Sequence, residues 1–251
     1  MVRVLLMARV SGLAVAALVL VWTFGFRTSF LPHPSSSNSS SPPPPTLRLD
    51  HLYSALHPVL MVIGFILLGG EAILAYRSLP GWSRSTRKSV HLSMQGAALG
   101  FGIFGIWAKF KASKGILANF YSLHSWMGLL CLFLFASQWA SGFLWLWHRP
   151  EGRQTRSTTV PWHSFVGLYT YGLAVVTAET GLLEKLTFIQ TRRGLSRRSM
   201  ESSLVNVIGL ALAVLAAFVV FAVVSPKHRH HLPSNVKEHD QKINVANKQT
   251  Q

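Results

Sequence analysis

The sequence predicts an all-α membrane protein with six transmembrane helices. Only 13% of its 251 residues are charged and 49% are hydrophobic, whereas soluble domains carry about 25% charged residues. Six mostly apolar segments each approach the roughly 20 residues that a helix needs to cross a bilayer. They are residues 10–26, 52–76, 90–108, 123–147, 162–183 and 204–224.

The first segment admits two interpretations. Arg3 and Arg9 precede a short apolar run, as they would in a cleaved signal peptide. No small-x-small cleavage pattern follows Phe26, so we favour a retained anchor. We expect residues 1–30 to form the first transmembrane helix.

Two polar regions separate or follow the apolar segments. Residues 31–50 are rich in Ser and Pro and cannot bury a core, so we expect a loop, in which Asn38 begins a glycosylation sequon. Residues 226–251 are polar, and we expect a disordered tail. The tail histidines His228, His230 and His231 could bind stray metal ions, but a solvated basic tail is the favoured interpretation.

The second to fifth segments each carry one histidine close to their start: His57, His91, His124 and His163. Consecutive membrane helices run in opposite directions, so His57 and His124 share one face of the membrane, and His91 and His163 share the other. Ionisable residues within membrane spans are rare and usually functional. The pattern predicts two histidine pairs, one near each face.

Paired imidazoles from facing helices are a common way to hold a haem iron from both sides. A zinc site usually needs three or four protein ligands, and no carboxylate or thiolate accompanies these pairs; the single cysteine, Cys131, lies within an apolar run. We therefore favour bis-histidine haem binding. A proton relay and structural hydrogen bonding remain alternatives.

The formal net charge of +16 points to membrane topology and anionic small substrates. The basic residues fall mostly in short loops and at the chain ends, which argues against nucleic acid as the partner. The positive-inside rule favours cytoplasmic termini without deciding the orientation.

Several ordered motifs surround the four histidines. They are His57-Pro58-Val59-Leu60-Met61, Gly69-Gly70-Glu71-Ala72 with Tyr76-Arg77, Lys88-x-x-His91, Asn119-Phe120-Tyr121-Ser122-Leu123-His124-Ser125-Trp126, Pro161-Trp162-His163 and Thr180-Gly181-Leu182-Leu183-Glu184-Lys185. These motifs resemble the cytochrome b-561 family, and most closely its plant ascorbate-dependent branch of transmembrane electron transporters and ferrireductases. The resemblance extends from about residue 50 to residue 225.

The resemblance implies a four-helix haem-binding core of helices two to five within a domain of residues 51–225, two haem b groups per chain and a homodimer. It also implies cytoplasmic termini, a non-cytoplasmic 31–50 loop and a cytoplasmic 226–251 tail. His57 and His124 would then be the axial ligands of the non-cytoplasmic haem, and His91 and His163 those of the cytoplasmic haem. The expected location is the vacuolar or plasma membrane.

Candidate substrate residues also follow from the resemblance. For cytoplasmic ascorbate they are Arg77, Arg84, Lys88 and Arg156, and positive-inside topology is the alternative explanation of each. For the non-cytoplasmic acceptor they are Lys111, Asn119, Tyr121 and Ser122. Lys111 stands where relatives carry histidine, which puts proton exchange at that position in doubt. Glu184 matches a carboxylate near the non-cytoplasmic haem, and an ion pair with Lys185 is the alternative.

The activity implied is that of an ascorbate-dependent transmembrane oxidoreductase. Cytoplasmic ascorbate would supply single electrons, and monodehydroascorbate or a ferric chelate would accept them on the far side. A haem-free transporter or scaffold that uses the histidines as a proton relay or as packing groups is one alternative. A haem-binding sensor without turnover is another.

Overall fold

The computed structural model describes residues 2–26, 30, 45–112, 120–148 and 153–226, with no side-chain description for 45–51, 148 and 153–156. Within these ranges all regular secondary structure is helical, and six helices are long and apolar enough to cross a membrane. This confirms the predicted fold class. Asn38, Asn119 and the tail histidines lie outside the described residues.

The six helices are labelled in chain order. Helix α1 is Val2–Gly25; α2 comprises Pro45–Val59, Leu60–Leu67 and Leu68–Ser78; α3 is Arg84–Ala112; α4 comprises Leu123–Ser141 and Gly142–His148; α5 is Arg153–Arg192; and α6 is Met200–Val224.

Most helices are longer than the apolar segments that predicted them. Helix α5 has 40 residues, about 60 Å at 1.5 Å per residue, which is twice the roughly 30 Å hydrocarbon core. Helix α2 begins at Pro45, inside the region predicted as loop, because proline is well suited to a first helical turn. Apolarity marks only the part of a helix that lies in lipid, so the predicted boundaries were too narrow.

Local signals set the helix ends. The side chains of Ser122 and Ser199 accept hydrogen bonds from the main-chain N–H groups of Ser125 and Ser202, which caps α4 and α6. Gly194 has a φ of 64° just after α5. Its left-handed conformation lets the main chain turn back at the end of that helix.

Two stretches have wider π-helical turns, Leu60–Leu67 in α2 and Gly142–His148 in α4. The stretch in α2 begins two residues after Pro58. Proline lacks an N–H group and its ring clashes with the carbonyl four residues earlier, so the regular α-helical pairing is disturbed there. Such irregular turns are often found near functional sites.

The helices pack mainly as α1 on α6, α2 on α3 and α4 on α5. Trp22 of α1 is buried, and its indole Nε1 donates a 3.0 Å hydrogen bond to the buried Glu201 of α6. Large apolar side chains such as Leu13, Phe133 and Leu210 are instead strongly exposed. An outer surface of this kind suits lipid and not water, so the bundle has the surface of a membrane protein.

Candidate functional site

The two predicted histidine pairs come together in the structure. The ring centroids of His57 in α2 and His124 in α4 are 6.2 Å apart, with an interplanar angle of 85°. Those of His91 in α3 and His163 in α5 are also 6.2 Å apart, at 69°. Since each metal–imidazole bond is about 2 Å long, one metal ion between two imidazoles separates the ring centroids by roughly 6 Å. Each pair therefore has the spacing that a single iron requires.

Main-chain carbonyls orient three of the four rings. The Nδ1 atom of His57 lies 2.9 Å from the carbonyl oxygen of Gly105, and that of His91 lies 2.8 Å from Ala72. His124 Nδ1 lies 2.8 Å from the carbonyl of Thr177. In each ring Nδ1 must carry the proton in order to donate, and this leaves the lone pair of Nε2 available for a metal.

The fourth ring has a different neighbour. The side-chain amide of Gln138 in α4 contacts His163, with Nε2 3.1 Å from the ring Nδ1 atom. The same amide nitrogen donates to the main-chain oxygen of His163. His163 is therefore oriented by a side chain and not by a fixed carbonyl.

Two glycines make room for the rings. A Cβ atom at Gly181 would lie 2.6 Å from Cε1 of His124, and one at Gly142 would lie 2.9 Å from Cε1 of His163. Both distances are too short for real contacts. A glycine at each position therefore lets a neighbouring helix approach a histidine face closely.

Each histidine pair opens into its own cavity. The first cavity, of about 330 Å³, contains His57 and His124, and the second, of about 470 Å³, contains His91 and His163. Volumes of this size are usual for ligand and cofactor sites. In the described part of the chain, no cluster of three or more His, Cys, Asp and Glu side chains offers a different metal site. The facing imidazoles, glycine-lined walls and cavities fit two flat haem groups.

The two cavities lie at opposite ends of the bundle. Trp22 and Phe30, near and just beyond the end of α1, line the first cavity. Val223, near the end of α6, lines the second. The start of α1 and the end of α6 are therefore on the side of the second cavity, together with His91 and His163.

Three predicted ascorbate-binding residues, Arg77, Arg84 and Lys88, line the second cavity. The ammonium group of Lys88 donates a 2.7 Å hydrogen bond to the carbonyl of Leu146. Arg77 donates to the carbonyls of Val223 and Ser225. Its guanidinium thus satisfies main-chain oxygens at the end of α6, a role that the sequence did not predict. The side chain of Arg156 lies outside the described residues.

Tyr121, a predicted acceptor-binding residue, and Glu184, the carboxylate predicted near the non-cytoplasmic haem, both line the first cavity. The Tyr121 hydroxyl donates a 3.2 Å hydrogen bond to Glu184. The pKa of Tyr121 is raised above its ordinary value, first by partial loss of surrounding water and then by the charge and hydrogen bond of Glu184. The hydroxyl therefore remains a donor throughout the physiological pH range.

The other described acceptor-side candidates lie elsewhere. The hydroxyl of Ser122 caps helix α4, and Lys111 places its ammonium group 5.8 Å from the ring centroid of Trp107. Neither residue lines the first cavity, whereas Lys109 and Lys185 do. Sequence reasoning did not select these two lysines.

A helical spacing could have indicated Lys109 and Lys185. Each follows by four residues a glycine, Gly105 or Gly181, that lies against a paired histidine. Residues four apart share a helix face. Each lysine is thus one turn beyond its glycine on the same face, in the direction of the nearby membrane surface.

A bundle of membrane-length helices with a facing imidazole pair near each end is the architecture expected of a class of protein, the membrane-spanning b-type cytochromes. Residues 56–189 match the model of the family described as "Eukaryotic cytochrome b561". The chain belongs to the eukaryotic cytochrome b561 family, as the motifs predicted. Membership of this family implies haem b as the cofactor.

Curated plant proteins are similar over most of their length. The chain is 56% identical to "Probable transmembrane ascorbate ferrireductase 4" of Arabidopsis thaliana, covering 90% of this chain and 87% of that protein. It is 46% identical to "Transmembrane ascorbate ferrireductase 2" of the same plant, covering 89% and 91%. It is 40% identical to "Probable ascorbate-specific transmembrane electron transporter 1" of Oryza sativa subsp. japonica, covering 87% and 88%.

Proposed function

We propose that this protein is an ascorbate-dependent transmembrane oxidoreductase, which moves single electrons from cytoplasmic ascorbate to monodehydroascorbate or a ferric chelate on the other side. The observation that carries the proposal is the pair of 6.2 Å imidazole separations in two cavities at opposite ends of the bundle. The activities named for the plant relatives support it.

His57 and His124 would hold one haem b, and His91 and His163 would hold the other. Haem b would supply one-electron chemistry there, and a histidine on each side would leave no open position for oxygen. The carbonyls of Gly105, Thr177 and Ala72 keep three of the ligands in the required tautomer. The protein's own task is thus to fix the ligands and to bind the donor and the acceptor.

The second cavity is the proposed donor side. Ascorbate is a monoanion near neutral pH, and ammonium and guanidinium groups bind oxyanions through charge-assisted hydrogen bonds. Lys88 lies three residues before His91 and lines the cavity together with Arg84. We assign both to ascorbate binding, with Arg156 as a further candidate. Arg77 also lines this cavity, and its guanidinium donates hydrogen bonds to main-chain carbonyls at the end of α6.

The start of α1 and the end of α6 lie on the side of the second cavity. With the cytoplasmic termini that the family resemblance implies, that side would be the one that meets cytoplasmic ascorbate. The location in the vacuolar or plasma membrane and the homodimer are further parts of the proposal. Both rest on the family resemblance.

The proposed function is tested with purified protein reconstituted into lipid vesicles. We expect two haem b groups per chain by pyridine haemochrome analysis, reduction of haem by ascorbate, and reduction of external ferricyanide by ascorbate trapped inside. Protein that carries no haem after expression with ample haem supply would favour the transporter or scaffold. Haem that ascorbate does not reduce would favour the sensor.

The acceptor side yields a separate prediction. We propose that Lys109, Lys185 and Tyr121 bind the anionic acceptor at the first cavity. Of the other candidates from the sequence, Ser122 and Lys111 do not line this cavity, and Asn119 lies outside the described residues. Replacing Lys109 by alanine should raise the KM for ferric citrate at least tenfold, since a charge-assisted contact contributes roughly 1.5–3 kcal/mol. Stopped-flow oxidation of the reduced protein by ferric citrate measures the effect.

Lys111→Ala is the matched control, because it removes an equal charge two residues away and outside the cavity. We expect it to change the KM less than threefold, and salt to reduce that effect by screening. Equal changes in the two variants would show that overall surface charge, and not a site at Lys109, attracts the acceptor.

A further inference from the structure

His163 differs from the other three paired histidines in the group that its Nδ1 atom meets. His57, His91 and His124 face main-chain carbonyls, which cannot exchange donor and acceptor roles. His163 faces the amide of Gln138. An amide carries an acceptor oxygen and a donor nitrogen on the same carbon, so rotation of the amide exchanges them.

The orientation of the Gln138 amide determines which nitrogen of His163 carries the proton, and so whether Nε2 can bind a metal. When the amide nitrogen donates to Nδ1, the neutral ring carries its proton on Nε2, and no lone pair there is available for iron. When the amide oxygen faces Nδ1, that atom carries the proton and donates it to the oxygen. Nε2 can then bind the metal.

The surroundings allow the exchange. Gln138 lines the second cavity, and Gly167, which has no side chain, lies beside its amide: a Cβ atom there would be 3.4 Å from the amide nitrogen, an ordinary contact distance. The amide also donates to the main-chain oxygen of His163. That oxygen keeps its own hydrogen bond inside helix α5. Because two acceptor oxygens repel each other, the rotated amide must also shift away from it, towards the cavity that Gln138 lines.

We propose that Gln138 is a positioning residue for the His91/His163 haem: its amide oxygen accepts the Nδ1 proton of His163 when haem is bound, and thereby sets the reduction potential of that haem. The proposal rests on the proposed function, since it assumes that His163 is an axial ligand. A stronger acceptor at Nδ1 gives the ring more imidazolate character and stabilises the ferric state. A neutral amide is a weaker acceptor than a carboxylate.

Three variants test this by redox titration of the purified haem-loaded protein. In Gln138→Leu the acceptor is lost, and we expect a higher midpoint potential, with a roughly tenfold larger ferrous-to-ferric ratio at a fixed ambient potential, equivalent to 59 mV for one electron. Gln138→Glu should change the ratio in the opposite direction. Gln138→Asn is too short to reach the ring and should behave like the leucine variant. The His57/His124 haem should keep its potential in all three.

Gln95 provides the matched control. It lines the same cavity, one helical turn after His91, and its amide nitrogen faces the carbonyl of Gly69 at 3.5 Å instead of a ring. Gln95→Leu and Gln95→Glu therefore separate a general change in polarity or charge from the hydrogen bond to His163. We expect only the Gln138 variants to change the low-spin ferric electron paramagnetic resonance signal of the affected haem.

The outcomes are distinct. Equal potential shifts in Gln138→Glu and Gln95→Glu, with unchanged resonance signals, would overturn the assignment of Gln138 and leave the proposed function intact. Unchanged reduction potentials in every Gln138 variant would also overturn the assignment of Gln138 and leave the proposed function intact. Wild-type protein without haem would instead contradict the proposed function.

Discussion

Replacing His163 by leucine is expected to remove one haem of two and to leave the other in place. Leucine has a similar size but no metal-binding atom, so the site keeps only His91 as a ligand. The first cavity has both of its histidines on other helices, α2 and α4. Its haem should therefore remain. The haem content measured by pyridine haemochrome analysis should fall from about two per chain to about one, and a redox titration should show the component of one haem instead of two.

His124→Leu is the reciprocal variant. It should remove the haem at His57 and keep the haem at His91 and His163, so that the two variants retain components of different potential. If both variants lost the same component, the pairing of the ligands by membrane face would be wrong. Far-ultraviolet circular dichroism of each variant checks that loss of haem does not reflect loss of the helices.

The architecture of the candidate site could be predicted from the sequence because it depends on a simple alternation. Consecutive membrane helices reverse direction, so histidines at the starts of four successive segments must divide between two faces. The 6.2 Å separations within His57/His124 and His91/His163 agree with that reasoning. Their role as haem ligands stays a prediction.

The orientation of the rings could not be predicted in the same way. The contacts use the main-chain carbonyls of Gly105, Ala72 and Thr177, so the side chains of these residues do not indicate them. Their importance arises only from how the helices pack. Gln138 is 25 residues from His163 in sequence, and no local pattern indicates that their side chains meet.

The helix boundaries and the substrate-binding residues were also only partly predictable from the sequence. The length of α5 depends on polar turns beyond the lipid, which an apolar pattern does not report. Lys109 and Lys111 are both basic and two residues apart, so a count of charges treats them alike. Helical rotation separates them, because residues two apart do not share a face, and only Lys109 lines the cavity.

Adding a single methyl group at Gly181 is expected to release the haem held by His57 and His124. The new Cβ atom would lie 2.6 Å from Cε1 and 2.8 Å from Nδ1 of His124, so the ring must move. Movement would break the 2.8 Å contact between Nδ1 and the carbonyl of Thr177 and misalign Nε2. Overpacking of this kind costs roughly 1–3 kcal/mol, and we expect haem occupancy of that site to fall at least fivefold in Gly181→Ala.

Gly172→Ala is the matched control in the same helix. No atom lies within 4 Å of a Cβ placed at Gly172, and alanine is favoured over glycine in helices by about 1 kcal/mol, so both haems should remain. Gly142→Ala should affect the other site, because its Cβ would lie 2.9 Å from Cε1 of His163. Haem stoichiometry and redox titration distinguish the three variants. Full occupancy in Gly181→Ala would show that the close approach of α5 to His124 is not needed to hold the ligand.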